Sequence, residues 1–155
     1  MVKYIIEKRT IRIEDFKMEN EEMIQIILAE DVNQTPNGSN MMQAAINPVL
    51  VFNSPVIPSA LSFSVIIIMS MMDFSDEKNI LVEIFNEENK LIYSSGIAKA
   101  KSPVKGKASN VRAILNLRNV LFNDEGRYSV KVSIDGEQRA ERDFMVFDQR
   151  NAKSI

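Results

Sequence analysis

The sequence predicts an all-β protein, an antiparallel sandwich of about seven or eight strands with an appended N-terminal segment. Three observations predict it. Apolar and polar residues alternate with a period of two, turn-forming residues fall between the alternating runs, and no long helical pattern interrupts them. With 155 residues, of which 45% are hydrophobic and 26% charged, the chain is long enough for one core, because a domain of this size buries roughly 68–70% of its unfolded surface.

In chain order, residues 1–22 form the appendage. Ile11 and Ile13 alternate as in a strand, Val2, Ile5 and Ile6 also fit one helical face, and the stretch from Glu14 to Glu22 is strongly acidic, so the segment reads as a strand or a short helix covering a sheet. Residues 23–147 form the sandwich, with strands near 23–31, 47–53, 61–72, 79–86, 90–96, 109–118, 126–134 and 138–147. In the sixth of these, Val111, Ala113, Leu115 and Leu117 share one face and Arg112, Asn116 and Arg118 the other. Tyr128, Val130, Val132 and Ile134 repeat the pattern, as do Ile80, Val82 and Ile84. Asp135-Gly136 is the sharpest turn signal, since both residues tolerate the positive φ of a type I′ hairpin. The stretch from Thr35 to Asn47 reads as a loop with one helical turn, and residues 148–155 as a frayed tail.

From Asp124 the chain runs Asp-Glu-Gly-Arg-Tyr-Ser-Val. This spacing resembles the corner of immunoglobulin-like sandwiches, where a buried Tyr hydroxyl bonds back to the preceding turn. The resemblance assigns Asp124, Gly126 and Tyr128 to that corner. Val130 stands where antibody-type domains carry a Cys, and the chain has no Cys and no Trp, which leaves Tyr128 and aliphatic packing to join the sheets. Over residues 46–147, the run from Pro58 to Val65, then Leu121-Phe122 and the segment from Gly126 to Gly136, resembles small uncharacterised bacterial β-sandwich proteins. The resemblance implies an immunoglobulin-like plan and a source in bacteria or their mobile elements. It brings no catalytic residues, because fold does not imply function.

The absence of His and Cys removes Ser-His and Cys-His nucleophile pairs, thiolate chemistry, Cys/His zinc sites and disulfides. Paired carboxylates could still hydrolyse glycosides, but the acidic residues lie in turns or on wet strand faces, so no enzyme and no cofactor is expected. Asp73, Asp76 and Glu77 in one loop and Glu87 and Glu88 in the next would have to converge to hold calcium. Consecutive hairpin loops leave opposite ends of a sandwich, so no metal is expected. The N-terminal residues carry no signal-peptide core, and the longest apolar stretch, Leu61 to Met72, is far short of the ~20 residues of a membrane helix. The expected location is cytoplasmic, with no membrane partner.

Two features point to a partner. The net charge of −2 hides local balances of −3 over residues 1–60, −4 over 61–98 and +5 over 99–155. Lys99, Lys101, Lys105, Lys107, Arg112 and Arg118 occur with no intervening acid, a set that would suit an anion or nucleic acid. The acidic pI of 5.3 and the lack of aromatic residues between 94 and 121 count against nucleic acid. The second feature is the strand from Leu61 to Met72. One parity is wholly apolar, yet Ile66, Ile68 and Met72 make the other parity half apolar as well. Such a strand needs a cover on both faces, from the N-terminal segment or from another chain. With Met41 and Met42 these residues form the candidate interface, and the expected partner is another protein or a second copy of this one.

Overall fold

A computed structural model describes residues 22–102, 105–108 and 110–151. These residues form twelve strand segments: β1 (Met23–Asn37), β2 (Asn40–Pro48), β3 (Val51–Ser54), β4 (Ser59–Ser70), β5 (Met72–Asp73), β6 (Lys78–Asn86), β7 (Leu91–Ser94), β8 (Ala98–Ala100), β9 (Lys107–Ala108), β10 (Val111–Phe122), β11 (Gly126–Ile134) and β12 (Glu137–Asp148). No α-helix occurs among them. One sheet has the order β10-β4-β1-β2, and the other β3-β12-β11-β6-β7 with β8 also on β6. Neither closes into a barrel. All pairings are antiparallel except β3 with β12, which is parallel.

Alternation explains the layers. The odd residues of β4, Phe63, Val65, Ile67 and Met69, are fully buried against Ile80, Val82 and Ile84 of β6, Val130 and Val132 of β11, and Phe144 and Val146 of β12 in a single core. At one end, five rings meet: Phe63 lies 4.9 Å from Phe52 and 6.2 Å from Phe144, and Phe122 packs edge-on to Tyr128 at 4.9 Å. Aromatic packing therefore joins the sheets where the sequence suggested Tyr128 and aliphatic side chains. The other face of the second sheet is wet, with Arg127 on Asp143 at 3.2 Å and Lys131 opposite Glu141.

The Tyr128 hydroxyl donates to the Asp124 carbonyl, and burial pushes the phenol above its usual range, so the hydroxyl remains a donor. Tyr128→Phe keeps the ring contacts and removes this bond. It is expected to cost about 1 kcal/mol in urea unfolding.

Several boundaries differ from the sequence reading. Residues 35–47 are the end of β1, the turn at 38–39 and most of β2, not a loop with a helical turn. The strand expected at 47–53 is broken at Val49 and Leu50: Asn47, at φ 53°, and Pro48 end β2, and residues 51–53 belong to β3. The strand expected to stop at 118 continues to Phe122 through a bulge between Leu117 and Val120, where the Asn119 amide donates to Ser62 Oγ at 3.0 Å. Residues 148–151 are not frayed: Asp148, only 4% exposed, accepts from the Ile57 amide at 3.1 Å and from Arg150 Nη2 at 2.6 Å, and its own amide donates to Glu125. The proposed appendage, except Glu22, and residues 152–155 lie outside the described residues.

Arg150 holds the Asp148 carboxyl well below the usual carboxylate range. A carboxyl depressed by folding adds stability above its unfolded value, near 3.9, and loses that contribution as pH falls toward the folded value. Asp148→Asn is therefore expected to lower the thermal midpoint at pH 7 and to flatten its fall below pH about 4, as read by thermal melts across pH.

Candidate interaction surface

The most exposed regular structure is the far half of the β1–β2 hairpin. β1 pairs with β4 only from Met23 to Ala29, whereas its pairing with β2 runs on to Asn37 opposite Asn40. Beyond Ala29 the two strands therefore project as an arm. Gly38 takes the first position of the two-residue turn at φ 67°, the glycine position of a type II′ hairpin. Every residue from Asn33 to Ala44 is exposed. Met41 is 56% exposed and Met42 51%.

The edge of this arm is chemically unusual. No charged residue occurs between Asp31 and Asp73, so all nine residues of β2 are uncharged. Among the described residues no strand pairs with its outer side. Native edge strands are commonly protected by lysines, by bulges or by being short. β2 has none of these from Asn40 to Ile46, and only Asn47 and Pro48 interrupt it at its end. Its row of outward N–H and C=O groups is a template for another strand.

A second apolar feature adjoins it. On the outer face of the β10-β4-β1-β2 sheet, Ile66 pairs across to Ile27 on one side and Ile114 on the other, and Ile68 lies between Gln25 and Arg112. Ile66 is 7% exposed and Ile68 half-buried. Met72 does not belong to this face: it is 1% exposed and packs in the core, because Met71 at φ 64° turns the chain before β5 and ends the parity of β4. The hairpin register places Ile46, Ala44 and Met42 opposite Asp31, Asn33 and Thr35, on the same outer face as Ile27. That Met42 and Ile66 share a face follows from the strand pairing of residues 40–46, which loop composition conceals. The sequence signal for that pairing is Gly38-Ser39, with glycine at the first position of a type II′ turn.

The basic residues do not form one cluster. Lys99 pairs with Glu77 at 3.4 Å, Lys101 and Lys105 are exposed, and Lys107 stands opposite Asp73 in the β5–β9 pair. Arg112 and Arg118 are both exposed on β10, roughly 20 Å apart at strand rise. The acidic loops are also engaged locally. Asp73 accepts from the Ser75 hydroxyl and amide, which lower its carboxyl below the usual range. Glu87 accepts from the Arg127 amide at 2.9 Å, and Glu125 from Asp148 and Asn151. Glu87, Glu88, Asp124 and Glu125 line an open concavity, but two of these carboxylates are acceptors that fix strand ends. Among the described residues no helix is long and apolar enough to cross a membrane.

The fold and this surface define an all-β, two-sheet protein with an uncharged, projecting sheet edge. Its sequence matches the model of a family of unknown function, DUF6941, over residues 25–147. The chain belongs to that family. No curated protein matches it.

Proposed function

We propose that this protein is a non-catalytic binding or assembly module of the bacterial cytoplasm, immunoglobulin-like in plan, that takes up another protein strand along β2. The observation that carries the reading is the projecting β2 edge: nine residues with no charge, two exposed methionines and, among the described residues, no strand on the outer side. Backbone pairing along such an edge supplies affinity, and side chains on alternate positions supply selectivity. The Tyr128–Asp124 bond supports the immunoglobulin-like plan. Separation of Arg112 from Arg118 and pairing of Lys99 with Glu77 make the basic set a poorer candidate for anion binding.

The test trims the arm. Replacing residues 33–44 by Asn-Gly joins Val32 to Ala45, which already face each other, through a turn that suits a hairpin. The reading expects capture of a protein from the native cell by the full chain, loss of that protein by the trimmed chain, and an unchanged circular dichroism spectrum. Equal capture by both chains contradicts it.

A further inference from the structure

We infer that the strand taken up by β2 is β2 of a second copy, related by a two-fold axis that passes between the two Ala44 residues. The inference rests on the reading of β2 as the binding edge and names its occupant.

Symmetric antiparallel pairing of a strand with itself requires the axis to run perpendicular to the sheet, so each residue faces one of the same parity. With the axis at Ala44, Met42 faces the partner's Ile46, Gln43 faces the partner's Ala45, and Met41 faces the partner's Asn47. Met42, Ala44 and Ile46 from both copies then line one face as a six-residue apolar patch, with the small residue at the axis and the large ones paired off it. Shifting the axis to Gln43 sets Met42 against Ala44 and Asn40 against Ile46, which loses both large apolar pairs. Pro48, which has no N–H, ends the pairing on one side, and the Gly38 turn ends it on the other.

Charge supports the same occupant. Two identical charged edges repel each other, and β2 carries no charge. The opposite margin of the arm, on β1, has Glu30, Asp31 and Pro36, which protect it from pairing. The Met42–Ala44–Ile46 patch lies on the same outer face as Ile27, Ile66 and Ile114, with Asp31, Asn33 and Thr35 of β1 beside it.

The experiment combines light scattering with a cysteine placed on the axis. The natural chain has no Cys, so Ala44→Cys and a control, Asn123→Cys in an exposed turn, each carry a single thiol. The full chain is expected at twice the monomer mass at high concentration. Ala44→Cys should form a covalent dimer with oxidised glutathione at least tenfold faster than Asn123→Cys, and Ala44→Lys should be a monomer with the same thermal midpoint. A chain that stays monomeric at every concentration overturns the inference, as does a dimer that persists in Ala44→Lys. If that monomer still loses a different captured protein when the arm is trimmed, self-pairing fails and the edge reading stands. If trimming changes nothing, both fail.

Discussion

Phe63→Ala is expected to destabilise the protein by about 3–5 kcal/mol, a large share of the roughly 5–15 kcal/mol typical of a domain. Phe63 is fully buried on the inner face of β4, one of the two inner strands of its sheet, and its ring reaches Phe52, Phe122 and Phe144. Two of those rings come from the opposite sheet, on β3 and β12. Truncation therefore opens a cavity between layers that cannot collapse without moving a sheet. Urea unfolding followed by circular dichroism reads the effect as a fall in midpoint with an unchanged slope. A loss under 1 kcal/mol would mean that the ring end of the core is not closely packed.

The second large effect concerns assembly. Met41→Lys with Met42→Lys is expected to abolish association while leaving stability within about 0.5 kcal/mol. Both side chains are more than half exposed, so the folded monomer has little to lose. On the binding edge, however, each copy would present two ammonium groups, which repel when two such edges meet and are costly to desolvate against any apolar strand. Sedimentation velocity together with a thermal melt checks both halves. If the substitution lowers the melting temperature instead, the methionines are packing residues and the arm is not a free edge.

Much of the sandwich was legible because burial on one face imposes a period of two. β6, β10, β11 and β12 carry that alternation in their burial, whereas β4 is buried on both parities from Phe63 to Ile67. The Asp135-Gly136 turn was equally plain, and both residues have positive φ, 51° and 84°. The arm was not legible, for a related reason. From Asn33 to Ala44 neither face is buried, so nothing in the chain selects apolar residues at alternate positions, and Thr-Pro-Asn-Gly-Ser-Asn reads as loop composition. The strand there is specified by its turn and its partner strand. The end of β2 at Asn47-Pro48 and the bulge near Asn119 carry no compositional mark, since single residues at positive φ interrupt a strand without changing its composition.

The candidate surface was half legible. Excess apolar character on both parities of β4 pointed to a covered outer face, and Ile66 and Ile68 lie there. Met72 leaves that face because the chain turns at Met71, which ends the parity of β4. Met41 and Met42 read from the sequence as adaptable apolar residues, yet their position on a projecting edge depends on a pairing that composition does not encode. For the basic residues, the charge count shows the excess but not its spread over β8, β9, β10 and the residues between β8 and β9.

Amide hydrogen exchange tests the central claim most directly, comparing the dilute isolated chain with the assembly recovered from the native cell. If β2 is the binding edge, amides of residues 40–47 that point away from β1 exchange fast in the dilute chain and become at least tenfold slower in the assembly. If those amides exchange equally fast in both while protection appears elsewhere, β2 is not where the protein binds.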